Sequence, residues 1–205
     1  MSRKHSSPVK PGRPFVMSQD ERRHRIMQAA EQLFGSSGYA AVSVADIAQR
    51  CEMSKKTIYE QFASKEELFK ALVADAEAFP LSTDLDDPND PAKTLISTLV
   101  ALARFVLSER HITVSRLVIA ESGQIPEMAQ HYYDQGMLRG KKMVVTQLKR
   151  LTKQGLLRVD DIDATADMLF GASIGFFLLI SVSLRTKPNM KEVETRIRMA
   201  VERFL

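Results

Sequence analysis

Cysteine occurs once in the 205 residues, at Cys51, so neither an internal disulfide nor a cysteine-based zinc cluster can form. Histidine is nearly as scarce. His111 and His131 fit neither H-x-x-x-H nor H-E-x-x-H spacing, so they read as ordinary surface or core histidines rather than metal ligands. There is no P-loop, and Gly171 and Gly175 sit in an apolar helical stretch rather than after a strand. No serine has a base partner at a recognisable spacing. The N-terminus is basic but lacks the apolar core of a signal peptide, so a cytoplasmic location is expected. Strand alternation and internal repeats are missing too. These absences remove the usual enzyme classes, metals and cofactors, and the hydrophobic content of 44% and charged content of 26% are those of a globular chain.

Charge is present but uneven. The whole chain carries +4, yet residues 1–25 alone hold Arg3, Lys4, Lys10, Arg13, Arg22, Arg23 and Arg25 against Asp20 and Glu21, a net +5. The rest is therefore close to neutral, and an excess confined to one end is an electrostatic footprint for a polyanion. Residues 1–18, rich in Pro, Ser, Gly and Lys, are expected to be a disordered arm. Within it, Gly12-Arg13-Pro14 is an extended step whose arginine can enter a minor groove.

The most informative stretch is SVADIAQRCEMSKKTIYEQFASKEELF, residues 43–69. Ser43 can cap a helix with Val44, Ile47, Ala48 and Cys51 on one face. Glu52 and Met53 make a turn, and Ser54 caps a second short helix in which Ile58, Tyr59 and Phe62 are the large apolar or aromatic residues. Ser64-Lys65-Glu66-Glu67 is a capping box opening a further helix. The second helix presents Lys55, Lys56 and Thr57 in its first turn, where a recognition helix contacts bases and phosphates. Ahead of this motif, Ile26, Ala29, Ala30, Leu33 and Phe34 repeat at helical spacing up to a Ser36-Ser37-Gly38 stop, supplying a hydrophobic backing.

Gly38-Tyr39, Val44 to Cys51, Ser54 to Phe62 and Ser64 to Phe69, in this order, resemble the N-terminal domain of the tetracycline-repressor (TetR) family over roughly residues 20–75. The resemblance implies that Ser43 and Tyr59 bind phosphates, that Lys65 holds another at the start of the fourth helix, and that Lys55 and Thr57 lie nearest the bases. Gly38, Tyr39 and Phe62 would be packing positions. Glu52 stands where the family often has glycine, and if that residue needs a positive φ the glutamate costs about 1 kcal/mol. Glu60 adds a second acid to the recognition helix, able to accept from cytosine N4 or to repel phosphate.

Residues 80–91 hold three prolines and four aspartates and are expected to link residues 19–79, the head, to residues 80–205, a helical bundle. The bundle shows helical patterns over Lys93–Glu109, His111 to about Glu121, Pro126–Leu151, Asp161–Arg185 and from Met190 onward. The run from Met168 to Leu184 is uncharged, but at 17 residues it is a marginal membrane span. It reads better as a helix covered on two sides, by its own domain and by a second subunit. A dimer interface is accordingly expected at Gly171 and Gly175, whose spacing suits close helix packing, with Val193, Ile197 and Val201 on the last helix. In the family resembled, the last two long helices dimerise and the C-terminal domain takes an effector. Phe105, Met128, His131, Tyr132, Phe170, Phe176 and Phe177 are the candidate lining of a site for a small, largely apolar molecule.

The sequence thus predicts an all-α homodimer with a three-helix helix-turn-helix head and a C-terminal regulatory bundle. Its partners would be a palindromic double-stranded DNA operator and a small-molecule effector, with no membrane and no cofactor. A small helical enzyme acting on an apolar substrate, or an architectural DNA binder without an effector, are the alternatives.

Overall fold

A computed structural model describes residues 17–76 and 90–204, the side chain of Phe204 excepted. Arg13, most of the arm and the expected linker lie outside the described residues. Every element is helical: α1 Gln19–Ser37, α2 Val44–Arg50, α3 Lys55–Gln61, α4 Lys65–Ala76, α5 Pro91–Val106, α6 Glu109–Glu121, α7 Pro126–Tyr132, α8 Leu138–Lys153, α9 Ile162–Phe170, α10 Phe176–Leu184 and α11 Met190–Phe204. A π-helical turn, Tyr133–Met137, joins α7 to α8, and another, Gly171–Gly175, joins α9 to α10. The two long helices expected from the sequence are therefore each one rod carrying a π-turn.

Capping chemistry sets most of the boundaries. Ser18 and Glu21 form a reciprocal box at the start of α1, and Ser43 and Asp46 do the same for α2. At α4 the expected box is half formed. Ser64 Oγ accepts from Glu67 N–H, but the Glu67 carboxylate accepts from Ala63 N–H at 2.7 Å, one residue before the cap. Asp90 caps α5 and Pro91 occupies its first turn, where the missing N–H costs nothing, so this helix starts earlier than the apolar pattern alone suggested. Ser108, not the region of His111, opens α6.

Two cores form. The first gathers Ile26, Phe34, Ile47, Ile58, Phe62, Leu68, Phe69 and Leu72 from α1–α4 and then continues into Val114, Leu117 and Val118 of α6 and Met128 of α7. The packing thus crosses the boundary expected near residue 80: the head rests on α6 and α7 rather than standing apart. Gly38, at φ 82°, turns the chain out of α1 and lets Tyr39 stack on Phe69 at 4.7 Å. The second core joins α5, α8, α9 and α11 through Leu99, Leu148, Leu151, Leu169, Ile174, Val193, Ile197 and Val201.

That second core corrects one expectation. Val193, Ile197 and Val201 are fully buried within the single chain, because α11 lays its apolar stripe against α5 and the Gly171–Gly175 turn. They belong to the subunit's own core and present no surface to a partner. The α9–α10 rod, Ile162–Leu184, is long and apolar enough to cross a bilayer. Leu169, Ser173 and Ile174 on it are buried in the second core region, while Met168, Phe176, Leu179 and Leu184 are exposed.

Ile197→Ala removes a fully buried side chain and is expected to cost about 2–5 kcal/mol. Chemical denaturation checks this; a loss below about 1 kcal/mol would return Ile197 to a surface role.

Candidate DNA interface and ligand cavity

The α2–turn–α3 unit is held by short backbone bonds. Cys51 N–H donates to Ile47 O at 3.0 Å and Met53 N–H to Ala48 O at 2.9 Å. Between them Glu52 sits at φ 56°, the left-handed conformation for which glycine is the usual choice. The strain is partly offset by its side chain, whose carboxylate accepts from Arg25 Nη2 at 2.8 Å. The acid that sequence placed near the DNA is thus paired with a cation of α1. Cys51 is buried beneath the turn, where burial pushes its thiol pKa up, so it packs as a small hydrophobe.

Helix α3 buries Ile58, with Phe62 just beyond its end, and exposes Lys55, Lys56, Tyr59 and Glu60. Ser54 Oγ accepts from Thr57 N–H at 3.1 Å, and the two hydroxyls lie 2.9 Å apart. At the other end of α3, Arg23 Nη1 donates to Gln61 O at 3.2 Å while its guanidinium lies 4.2 Å from the Phe62 ring centre. A cation at a helix C-terminus complements the helix dipole. Arg23 and Arg25, counted in the sequence with the basic arm, therefore brace the motif from behind.

Two expected phosphate ligands are engaged inside the head. Both the N–H and the hydroxyl of Ser43 donate to the Asp46 carboxylate, at 2.8 and 2.6 Å, which holds the Asp46 pKa below the usual carboxylate range. Ser43 keeps its capping role but offers a phosphate no donor in this arrangement. Lys65 Nζ donates to Tyr39 O and Val42 O, both at 2.9 Å, and lies 4.1 Å from the centre of the Tyr39 ring. It ties the α1–α2 loop to α4, with one of three N–H bonds left for a phosphate. Lys55, Lys56 and Tyr59 remain the outward-facing set.

Below the head lies a cavity of about 600 Å³ between α5, α6, the α7–α8 rod and the α9–α10 rod. Phe105, Tyr132 and Phe170 line it as expected. Four other candidates do not. Met128 is buried in the first core under the head, because α7 turns that side toward α4. His131 is half-buried outside the cavity wall. Phe176 is exposed and Phe177 packs on the second core beside Arg196, since the π-turn rotates α10 relative to α9. Gly175, expected at a subunit interface, is on the cavity wall, whereas Gly171 faces open space.

The polar floor was not foreseen. Tyr132 Oη lies 2.6 Å from Ser115 Oγ and 3.0 Å from His111 Nε2, and Ser115 Oγ donates to His111 O at 2.7 Å. His111 is buried, and desolvation lowers its pKa to about 4, so the ring is neutral. The signal available in the sequence is the pair His111 and Ser115, four apart on a helix whose other buried positions are apolar; Tyr132 cannot be assigned to it without the fold. Near the rim, Lys141 pairs with Asp167 at 2.8 Å, and Asp163 lies 3.6 Å away.

Comparison with known proteins identifies the whole assembly. Residues 26–72 match the family of bacterial regulatory proteins of the tetR type, and residues 93–205 match the C-terminal domain of AefR-like transcriptional repressors. An uncharacterised helix-turn-helix transcriptional regulator of Bacillus subtilis, YdeS, is 30% identical over 183 residues, covering 84% of each chain. A crystal structure of a putative TetR-family regulator from Mesorhizobium loti superposes with a TM-score of 0.80 at 25% identity, covering 93% of this chain and 98% of that one. The flavonoid-responsive regulator FrrA shares the fold, with a TM-score of 0.74 at 23% identity over 91% of this chain and 96% of its own. The chain belongs to the TetR family of transcriptional regulators, a family of DNA-binding proteins.

His111 supplies a pH test. Its pKa falls from 6.5 to about 4 on folding, so below pH 6.5 the unfolded chain binds a proton that the folded chain refuses. Stability is therefore full above that value and falls as pH drops toward 4. Between pH 7.5 and pH 5 the wild type should lose about 2 kcal/mol more than His111→Gln; equal losses in denaturant titrations would show that the ring titrates normally.

Proposed function

We propose that this regulator is a homodimeric repressor, released from a palindromic operator by a small, largely apolar effector that enters the cavity. The observation that carries the reading is the shared helix α6. Val118 lines the cavity and belongs to the core of the head, while Arg110 on the same helix reaches Glu31 of α1 at 3.0 Å and Asp75 of α4 at 2.7 Å. A molecule that shifts α6 must shift the base on which α1 and α4 sit. Release then requires the effector to favour the DNA-incompatible arrangement of the two heads, since equal affinity for both arrangements releases nothing.

Dimerisation is supported by apolar side chains left outside both cores. Met168, Phe176, Leu179 and Leu184 on the α9–α10 rod and Met199 on α11 are 49%, 53%, 65%, 67% and 58% exposed. With the exposed Gly171 and Ala172 among them, they form the surface a second copy would cover. In such a dimer each α3 would enter a major groove, with half-sites about one helical turn, roughly 34 Å, apart. Lys55, Lys56, Thr57 and Tyr59 are the proposed contacts, with Ser54 as cap of the recognition helix and Lys65 as a phosphate ligand through its remaining donor. Selection of bound sequences from random duplexes tests this directly; recovery of an inverted repeat is expected, and an unordered pool would favour an architectural binder.

Lys55→Ala is expected to weaken operator binding with the fold intact, because the side chain is exposed and α3 is anchored by Ile58 and Phe62. The slope of log affinity against log salt should fall by about one unit. Unchanged affinity at physiological salt would remove α3 as the recognition helix.

Gly175→Leu is expected to fill the cavity rather than to separate subunits. A Cβ at Gly175 meets only Phe170, at an ordinary 3.7 Å from its carbonyl, and the rest of the side chain would extend beside Phe170. The variant should bind operator as a dimer and lose its response to effector. Sedimentation that shows monomers would put Gly175 back at the interface.

A further inference from the structure

Helix α3 carries its charges in the order that its own dipole disfavours. A helix N-terminus stabilises carboxylates and a C-terminus stabilises cations. The other helices of the head comply: α1 has Asp20 and Glu21 in its first turn, α2 has Asp46 in the first and Arg50 in the last, and α4 has Glu66 and Glu67 in the first. In α3, Lys55 and Lys56 occupy the first turn, and Glu60 is the last residue but one. Lys56 and Glu60 also stand one turn apart with the lysine first, the order that gives the weaker ion pair. A local rule broken at one element and kept at its neighbours points to function rather than stability.

Position on the helix agrees. At about 100° per residue, Lys56 and Glu60 each point about 160° away from Ile58, the buried residue that seats α3 on the head. Tyr59 and Lys55 form one edge of the helix, at about 100° and 60°, and Thr57 and Gln61 form the other at similar angles. Lys56 and Glu60 are exposed; Thr57 and Gln61 are half-buried, and the Thr57 hydroxyl lies 2.9 Å from that of Ser54. The middle of the outward face is therefore a lysine beside a glutamate. The neighbouring acids of the head are engaged: Asp46 with Ser43, Glu52 with Arg25, Glu66 with Lys70 and Glu67 with Ala63 N–H. Among the described residues no hydrogen bond or ion pair holds Glu60.

A carboxylate brought among phosphates is repelled unless a donor meets it. In the major groove the base donors are the amino groups of cytosine N4 and adenine N6. Adenine sets its acceptor N7 beside N6, where the second carboxylate oxygen would face a lone pair, and thymine and guanine present acceptors. Cytosine is the base that a glutamate fits. The paired guanine offers O6 and N7, which suit the ammonium of Lys56, so the two side chains together complement a C·G pair. Resting on the assignment of α3 as the recognition helix, we infer that Glu60 is a specificity-determining residue that accepts from N4 of a cytosine in each half-site, with Lys56 on the guanine beside it.

The test selects bound sequences from random duplexes with the full chain as wild type, Glu60→Gln and Glu60→Ala. The wild type is expected to keep a C·G pair at one position of each half-site. Glu60→Gln should move that position to A·T, since a glutamine amide pairs with adenine N6 and N7, and Glu60→Ala should leave it unspecified while the other positions hold. In titrations of the selected operator, changing that cytosine to thymine in one half-site should cost the wild type roughly tenfold or more in affinity, and Glu60→Ala less than about threefold. The side chain is exposed, so unchanged denaturation midpoints are expected for both variants. One motif from all three proteins, with Glu60→Ala binding every duplex more tightly, would overturn the inference and make Glu60 a repellent of phosphate. A uniform loss on all duplexes would overturn it as well, as a general effect on the head. The dimeric-operator reading fails separately. An inverted repeat that ignores both substitutions leaves that reading standing and this inference lost. A single, unrepeated site whose cytosine changes with the side chain at position 60 does the reverse.

Discussion

The structure depends on one constraint: α6 is buried from both sides at once. Val114, Leu117 and Val118 are packed into the head's core, and His111 and Ser115 close the cavity floor. A close-packed helix cannot slide by a fraction of a side chain without moving what lies on either side. The Arg110 contacts to Glu31 and Asp75 add direction more than strength, since a half-exposed ion pair contributes little on its own. What fixes the head on the bundle is the apolar area along α6, and any change at the cavity floor is delivered to that area. The energy available for regulation is bounded by the difference between a ligand's affinities for the two arrangements, not by how tightly it binds.

The head uses its charged residues largely on itself. Arg25 meets Glu52, Arg23 covers the end of α3, Asp46 holds both donors of Ser43, and Lys65 spans two loop carbonyls. The glutamate in its left-handed turn faces an arginine of α1, an exposed pair that offsets a small part of the strain. The same pairing keeps a negative charge from standing bare beside a polyanion. On the recognition helix the outward-facing cations are Lys55 and Lys56, so each phosphate contact they make should carry a visible share of the salt dependence.

The head was legible in the sequence because its signals are local. Serine caps at 43, 54 and 64, the Gly38 stop and apolar positions three and four apart need no tertiary information, and each recurs in the structure at its expected place. The bundle was legible only as helices. Val193, Ile197 and Val201 form a clean apolar stripe, and a stripe says that a face is covered without saying by what; here α5 covers it. The cavity was misread for a related reason. In the sequence, aromatic residues are its markers, yet Phe176 and Phe177 are turned away by a π-turn that leaves no trace in the hydrophobic pattern. The polar floor joins residues from α6 and α7 that only the fold brings together.

The rod of α9 and α10, uncharged from Met168 onward, shows how one apolar helix can meet several demands. Its inner side, Leu169 and Ile174, completes the second core; Phe170, Gly175, Leu178 and Val182 wall the cavity; Phe176 and Leu184 face outward. The π-turn at Gly171–Gly175 makes this division possible, because one extra residue per turn shifts the register of everything after it. Leu179 is both a cavity residue and 65% exposed, so the cavity's rim and the proposed subunit interface adjoin at one side chain. In the proposed dimer a second copy on this face would lie beside the cavity's mouth. A ligand seated there would then touch, through Leu179, the surface that sets the distance between the two recognition helices, giving it a second path to the heads besides α6.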